Sequence, residues 1–318
     1  MIGVDLGGTK LLVGAVDSEL AVHHRAHRFS RGVDQAELLD IVVDAVTEVR
    51  QALDTDVAAV GFGIPCLVDR ERGVAVMAVN LPIADLPFRD VMSERLGLPV
   101  VIDNDANVAV LVEQRYGAAR GARHVVMLTL GTGIGGGLVV DGEVYRGSTG
   151  AGAELGHMVV EMDGPKCQGS CPNHGCLEAV ASGMALAREA LRVAEAEPES
   201  GLGEALAGGR EITGALVTEL AHDGDRSARD VLALIGTRLG VGIANYVNIF
   251  NPEVVVIGGG VIAAGDLLLD PARATVAQRA LRPSRDLVRI VPARFGAESG
   301  MLGAAVLAFE ELAADHTA

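Results

Sequence analysis

Short apolar runs that end at glycine turns alternate along the chain with segments of helical periodicity. The first 16 residues, MIGVDLGGTKLLVGAV, predict a strand, a glycine turn and a second strand. Apolar residues recur at helical spacing from about 36 to 53, so a helix is expected there. Residues 58–65 predict a buried strand, and residues 99–117 predict a strand, a polar turn and a helix. This alternation indicates an α/β fold.

A second unit of strand, glycine turn and strand occupies residues 124–147, where Asp141-Gly142 predicts a hairpin turn. Two related α/β halves with a cleft between them are therefore the economical interpretation. The later elements predicted in chain order are a long helix at 177–195, a connection with turns at 201–214, a helix at 227–249, a strand that ends in glycines at 251–261 and a helix at 298–315.

Composition and charge narrow the classes of protein that fit this chain. Its 318 residues suffice for about two domains, and 49% of them are hydrophobic. The formal net charge of −16 argues against nucleic acid as a partner, since phosphate binding there requires Lys and Arg clusters. The start lacks a basic segment and no apolar run reaches about 18 residues, so neither a signal peptide nor a membrane span is expected. Four cysteines in such a chain fit a reducing compartment, and we expect the cytoplasm.

Three glycine turns follow predicted strands: LGGTK at 6–10, GTGIGGG at 131–137 and GGGV at 258–261. Glycine permits positive φ and lets backbone N–H groups approach an anion closely. Each turn alone is also typical of an ordinary connection between strands. The three together favour a nucleotide site.

The spacing of these glycines argues against two common nucleotide motifs. Gly131, Gly133 and Gly136 fit the dinucleotide pattern GxGxxG, but a strand rather than a helix is predicted after them. A second near-match that starts at Gly258 lacks the acidic residue expected about 20 residues later. The Thr9-Lys10 pair reverses the Lys-Ser/Thr order of a P-loop.

The first two turns resemble the facing phosphate loops DxGGTK and LGTGxGGG of actin-like sugar kinases of the ROK family (repressors, open reading frames and kinases). The resemblance extends over nearly the whole chain. It implies a two-lobed actin-like ATPase (ribonuclease H-like) fold with a cleft that binds ATP and Mg²⁺, the cation lying nearest Asp5. The residues expected to bind the nucleotide are Asp5, Gly7, Gly8, Thr9, Lys10, Gly131, Thr132, Gly133, Gly135, Gly258, Gly259 and Gly260.

The same resemblance suggests a division into two lobes. The smaller lobe is expected to comprise residues 1–112, completed by a C-terminal helix at about 296–318. The larger lobe is expected at 113–295 and would carry the cysteine-rich loop.

The stretch IDNDAN at 102–107 follows a predicted strand and offers two candidates for a general base, Asp103 and Asp105. The same residues are also typical of a helix N-cap, which is compatible with catalysis. The stretch resembles the family sequence E-N-D-A-N. That resemblance implies Asp105 as the base and Asn104 as a sugar contact, with Asp103 in place of the usual Glu.

Further residues are carried over as sugar ligands from the same resemblance. AELGH at 153–157 is similar to the family's E-x-G-H, which implies that Glu154 and His157 bind a hexose, and Glu178 matches a further sugar-binding Glu. Asn80 is a candidate from a stretch that resembles N-L-P-W. In GIPC, Cys66 stands where the family has Gly, which leaves the backbone path there open.

His157, Cys167, Cys171 and Cys176 form H-x9-C-x3-C-x4-C, a ligand set that suits a closed tetrahedral Zn²⁺ site. The alternative is a set of unliganded, partly buried thiols. The family spacing has C-x-C, so a two-residue insertion after Cys167 makes it the least certain ligand. His157 would then link a structural zinc to the sugar, with one ring nitrogen on the metal and the other facing a hydroxyl.

The resemblance implies ATP-dependent phosphorylation of a hexose, with glucose first and fructose, mannose, N-acetylglucosamine, N-acetylmannosamine or allose as alternatives. Polyphosphate as donor stays open. A sugar-sensing regulator of the same family is the alternative of another class. Such regulators carry an N-terminal DNA-binding domain, which we do not expect here because residues 1–10 already match the first phosphate loop. A nicotinamide-dependent zinc oxidoreductase would require a dinucleotide motif that the spacing does not supply. A homodimer or homotetramer is expected from the family.

Overall fold

A computed structural model of the protein describes residues 1–8, 10–78 and 81–315. Two of the expected ligands, Thr9 and Asn80, lie outside the described residues. Within them the elements alternate between strands and helices, as the α/β prediction requires.

The first half is built on a five-stranded sheet in the order β3-β2-β1-β4-β8. Strands β2 and β3 are antiparallel to their neighbours, whereas β1, β4 and β8 are parallel. A three-stranded sheet, β5-β6-β7, is inserted between β4 and β8. The bounds are β1 Ile2–Leu6, β2 Lys10–Val16, β3 Val22–Phe29, β4 Val60–Ile64, β5 Cys66–Asp69, β6 Val74–Ala78, β7 Ala84–Leu86 and β8 Val100–Asn104.

The second half repeats this sheet in the order β11-β10-β9-β12-β13, with the same pattern of antiparallel and parallel pairs. The bounds are β9 Val125–Leu130, β10 Ile134–Val140, β11 Glu143–Val144, β12 Val254–Gly258 and β13 Arg289–Pro292. Two sheets of one topology, each covered by helices, form the two-lobed actin-like fold that the sequence predicts.

The helices cover the sheets and fill the space between them. Their bounds are α1 Gln35–Gln51, α2 Phe88–Leu96, α3 Asp105–Arg115, α4 Leu177–Ala181, α5 Gly183–Ala196, α6 Gly201–Ala207, α7 Gly214–His222, α8 Arg226–Phe250, α9 Asp266–Arg279, α10 Ser284–Leu287 and α11 Ser299–Asp315. The division at residue 112 stays a proposal; it falls within α3, which packs on strands of both sheets.

Helix α11 returns to the first sheet and lies unusually close to it. A Cβ on Gly3 would lie 2.0 Å from the carbonyl oxygen of Met301, and a Cβ on Gly61 would lie 1.9 Å from that of Ala304. On the helix itself, a Cβ on Gly303 would lie 1.9 Å from the carbonyl oxygen of Val108 in α3. Real Cβ atoms do not approach so closely, so glycine is required at these contacts.

Two of the predicted elements differ from the structure. The expected helix at 177–195 is divided into α4 and α5, because Ser182 has an extended ψ of 174° and its side chain caps α5. The expected connection at 201–214 contains α6, whose N-terminus is capped by Ser200. The first error arises because a serine that caps a helix can also stand within a helical pattern. The second arises because the glycines of 201–209 are typical of turns.

One described helix, α8, is long and apolar enough to cross a membrane by length and composition alone. Of its most apolar window, 56% is buried inside the protein. Its buried face packs against α7 and α9 in the core of the second half, as in the central helix of a globular domain.

Candidate active site

The carboxyl ends of the central strands of both sheets meet at one cavity of about 160 Å³. It is lined by Asp5 of β1 and Asp105 of α3 from the first half, and by Thr129 of β9 and Gly259 from the second. Segment 296–300, just before and at the start of α11, closes the remaining side. Ligands of open α/β sheets bind at such strand ends.

Asp105 is the first residue of α3, and one of its carboxylate oxygens accepts a hydrogen bond from the Ala106 N–H at 2.9 Å. No Lys, Arg or His among the described residues forms an ion pair with it. Burial raises the pKa of Asp105 above its ordinary value. A carboxylate without a cation partner, facing a cavity, is a competent proton acceptor.

Asp5 lies near the end of β1 and faces the same cavity. Burial, and secondarily the negative charge of Asp105, raise the pKa of Asp5 to about 7. The carboxylate packs on the backbone of α11, where a Cβ on Gly300 would lie 2.5 Å from its carboxyl carbon. A bound cation would favour the ionised form of Asp5 that burial disfavours.

The glycine turns of the second half contact each other. Gly131 N–H donates to the carbonyl of Gly133 at 3.0 Å, which forms the turn between β9 and β10. Gly259 has a φ of 82°, and a Cβ there would lie 2.4 Å from the Leu130 carbonyl oxygen. Gly260 faces open space. This wall therefore presents closely packed backbone without side chains.

The first glycine turn lies at the end of β1 in the other half. The Gly7 N–H donates to the Lys10 carbonyl at 2.9 Å, and the Ser30 hydroxyl donates to the Gly7 carbonyl at 3.0 Å. Lys10 is exposed at the start of β2. The described part of this turn is thus fixed by hydrogen bonds to Lys10 of β2 and to Ser30, which follows β3.

Two expected sugar ligands lie beside the second glycine turn. The Ile134 N–H donates to Glu178 Oε2 at 2.8 Å, and a Cβ on Gly133 would lie 2.2 Å from the same oxygen. Glu154 lies directly before a short 3-10 turn, and Ala153 lies directly before Glu154. A Cβ on Gly136 would lie 2.3 Å from the Ala153 carbonyl oxygen. The start of β10 therefore holds the Glu178 carboxylate, and Gly136 of β10 packs on the backbone beside Glu154.

Asn104 caps helix α3, as the N-cap interpretation expects. Its Oδ1 accepts from the N–H groups of Ala106 at 2.9 Å and Asn107 at 3.3 Å, and its Nδ2 donates to the Cys66 carbonyl at 3.3 Å. Cys66 begins strand β5 and is not among the residues with positive φ. The backbone path at Cys66 therefore does not require the glycine that the family has there.

The structure brings His157, Cys167, Cys171 and Cys176 together, with one ligand atom of each within 4.8 Å of the others. His157 Nδ1 lies 3.4 Å from Cys167 Sγ, and the sulfurs of Cys171 and Cys176 lie 3.9 Å apart. Ligands of a tetrahedral zinc with bonds of about 2.0–2.3 Å lie roughly 3.5–3.8 Å from one another. The two-residue insertion therefore leaves Cys167 within the cluster.

His157 and Glu178 connect this cluster to the candidate sugar site. His157 Nε2, on the side of the ring away from Cys167, lies 3.9 Å from Glu154 Oε2. Glu178 Oε1 lies 3.7 Å from Cys167 Sγ. A metal ion held by the cluster would orient the imidazole toward Glu154.

Two buried carboxylates of this region were not identified from the sequence as structural groups. Asp103 forms an ion pair with Arg146 of the second half, with Nε and Nη2 each 2.7 Å from Oδ2. Glu113 is fully buried and accepts hydrogen bonds from four donors: the N–H groups of Ala118, Arg294 and Phe295, and the Ser299 hydroxyl. In the sequence, Asp103 could have been recognised as a structural carboxylate only from its position two residues before Asp105. No neighbouring residue indicates the structural role of Glu113.

A larger cavity of about 350 Å³ is lined in part by segment 153–158, including Glu154 and His157. Most of its lining is apolar, including Leu138, Tyr246 and Phe250. A hexose requires several polar partners, so the smaller cavity that contains Asp5 and Asp105 is the better candidate for the reaction.

Comparisons with known proteins agree with the fold. The sequence profile of the ROK family matches residues 1–311. A glucokinase of Thermotoga maritima is 38% identical over 315 residues, which cover 98% of each chain. The structure of a ROK family glucokinase from Streptomyces griseus in complex with glucose and AMPPNP has 36% identity and a TM-score of 0.87, covering 96% of this chain and 98% of that one. A putative xylose repressor of a Caldicellulosiruptor species is 32% identical, with 99% of this chain and 79% of the repressor covered.

Proposed function

The chain belongs to the ROK family, and we propose on this premise that it transfers the γ-phosphoryl group of ATP to a hexose, with glucose as the first candidate. The observation that carries the proposal is the Asp105 carboxylate, which faces a cavity shared with Asp5 and has no ion-pair partner among the described residues. The likeness to a glucokinase that binds glucose and AMPPNP supports both substrates.

Asp105 acts as the general base in this proposal. It accepts the proton of the sugar 6-hydroxyl as that oxygen bonds to the γ-phosphorus, and the bond from phosphorus to the bridging oxygen of ADP breaks. Its raised pKa brings its proton affinity closer to that of a working base near neutral pH. Asn104, Glu154, His157 and Glu178 are proposed to bind the sugar hydroxyls, as is Asn80.

The glycine turns are proposed to bind the phosphates through backbone N–H groups, since glycine lets an anion approach the backbone closely. Asp5 fits a hydrated Mg²⁺, because its carboxylate supplies the oxygen ligands that this cation prefers. Mg²⁺ supplies charge neutralisation at the phosphates when it is bound. Closure of the lobes would exclude water from the attack on the γ-phosphorus.

His157, Cys167, Cys171 and Cys176 are proposed to hold a structural Zn²⁺. The separations of their ligand atoms support this, and four protein ligands leave no open position for a substrate. The chain's role at this site is to hold the sugar-binding segment in place. We also propose a cytoplasmic homodimer or homotetramer.

The experiment that tests this function is an assay of the purified protein with glucose, fructose, mannose, N-acetylglucosamine, N-acetylmannosamine and allose. Each sugar is offered with ATP or with polyphosphate, and the sugar phosphate is quantified by mass spectrometry. ATP-dependent formation of glucose 6-phosphate at the highest kcat/KM is expected. Binding of a sugar without any phosphorylation would overturn the kinase proposal and favour a sugar-sensing role.

A further inference from the structure

Asp103 is a buried carboxylate, 2% exposed, two residues before the proposed base. Its Oδ1 accepts from the Asn104 N–H at 2.8 Å and from Asn107 Nδ2 at 3.0 Å. Its Oδ2 accepts from Arg146 Nε at 2.7 Å and lies 2.7 Å from Arg146 Nη2 in the same ion pair. Both oxygens are therefore engaged, and Asp103 holds the first turn of α3 while it binds the guanidinium.

This ion pair joins the two halves of the molecule. Asp103 lies in β8 of the first sheet, whereas Arg146 follows β11 of the second and begins the segment that leads to Glu154. The Gly152 N–H donates to the Arg146 carbonyl at 2.9 Å. A Cβ on Gly150 would lie 1.9 Å from the Val68 carbonyl oxygen of β5. Segment 146–153 thus rests on the first half and is anchored there by Arg146.

Arg70 approaches the same carboxylate but cannot replace Arg146 as a tie between the halves. Its Nε lies 3.7 Å from Asp103 Oδ2, and it also pairs with Glu311 of α11. Arg70 lies in the connection from β5 to β6, within the first half. It reduces the cost of an unpaired buried carboxylate, so variants of Arg146 are expected to fold.

We propose that Arg146 is a positioning residue that sets the separation between Glu154 on the second half and Asp105 on the first. The proposal rests on the function proposed above, since these two side chains would bind one hexose. The Arg146 guanidinium donates from Nε to the Asp103 carboxylate and from Nη1 to the Val144 carbonyl, so both its distance and its orientation are fixed. A lysine ammonium has no planar fork and does not fix them in this way. Among the described residues, Arg146 is not one of those that line the cavity of Asp5 and Asp105.

The test compares Arg146→Lys with Arg115→Ala as a matched control. The Arg115 side chain is 27% exposed, close to the 23% of Arg146, and pairs with Glu310 away from the cavity. Arg146→Lys is expected to raise the KM for the hexose about tenfold, with the KM for ATP within about twofold of the wild type. Arg115→Ala is expected to change neither value more than about twofold.

Rescue and hydrogen exchange separate positioning from general stability. Asp103→Glu adds the side-chain length that Lys lacks relative to Arg. The double variant Asp103→Glu with Arg146→Lys is therefore expected to recover most of the hexose affinity of the wild type. Hydrogen exchange at the Gly152 N–H is expected to accelerate in Arg146→Lys and not in Arg115→Ala. An Arg146→Lys protein with wild-type hexose KM and unchanged exchange at Gly152 would overturn the proposal.

The exchange measurement needs no turnover, so it distinguishes this proposal from the proposed function. A wild-type protein that phosphorylates no sugar would refute the kinase function. Faster exchange at Gly152 in Arg146→Lys would then still support the anchoring of segment 146–153, and unchanged exchange would refute that as well.

Discussion

The two halves share one strand order but give the cleft two unlike walls. Asp5 in β1 pairs with Leu12 and Gly63 on its neighbouring strands, and Thr129 in β9 pairs with Gly135 and Gly258 in the same arrangement. Both side chains face the same cavity. To this cavity the first half thus contributes the carboxylates of Asp5 and Asp105, and the second contributes the Thr129 hydroxyl and glycine backbone. The same sheet topology therefore serves two purposes in one chain. The first sheet supplies carboxylates for acid–base chemistry and cation binding, and the second supplies a neutral wall that can bind an anion.

The strongest test of the acidic wall is Asp105→Asn. The amide cannot accept the sugar proton, so kcat is expected to fall by about 10³-fold, within the range for loss of a general base. Hexose affinity, measured by calorimetry without ATP, is expected to stay within about threefold of the wild type. A variant that keeps more than about a tenth of wild-type kcat would remove Asp105 from the role of base.

The second half also carries the cysteine cluster, and Cys176→Ser tests what that cluster contributes. Loss of one thiolate ligand is expected to reduce zinc below one ion per chain and to raise the hexose KM at least about tenfold, because His157 loses its fixed orientation. Cys66→Ser is the matched control, since Cys66 is a buried cysteine outside the cluster. Zinc analysis that finds the same metal content in both variants would contradict the proposed ligand set.

The equivalent positions of the two sheets are compared directly by Asp5→Asn and Thr129→Val. The asparagine lacks the charge that holds Mg²⁺, so the KM for Mg·ATP is expected to rise by about ten- to a hundredfold. Thr129→Val keeps the shape and is expected to change that KM by less than about threefold. Equal effects of the two variants would show that the two walls are not chemically distinct.

The last expected effect is on stability rather than on catalysis, and it is measured in magnesium-free buffer. Because burial raises the pKa of Asp5 to about 7, the folded protein binds a proton at pH 5–6 that the unfolded chain has lost. Asp5 therefore lowers the free energy of unfolding of the wild type as pH rises from about 4 to 7, and Asp5→Asn lacks this contribution. Urea unfolding at pH 8 should show Asp5→Asn more stable by up to about 4 kcal/mol, with little difference near pH 4. A difference that is the same at both pH values would contradict the raised pKa.

The parts of this molecule that the sequence predicts are those determined within a few residues. The glycine turns, the cap at Asn104 and the cluster around His157 all arise from local spacing. These local motifs carry the resemblance to the ROK family, and from that resemblance the two-lobed fold was predicted. The comparisons confirm the family.

The features that the sequence did not predict join residues far apart in the chain. Asp103 and Arg146 are 43 residues apart, and the Glu113 carboxylate binds a segment about 180 residues later. The close contacts of α11 with Gly3 and Gly61 are of the same kind. Their partners are set by packing between the halves, which no periodicity or spacing in one segment encodes.

The return of α11 to the first sheet bears on how the chain acquires its structure during synthesis. The first half emerges from the ribosome before the second, yet the face of its sheet at Gly3 and Gly61 is covered by a helix that follows the whole second half. Until residues 299–315 have been translated, that apolar face lacks its natural cover and must be protected from aggregation in some other way. The half that is made first is thus the one that is completed last.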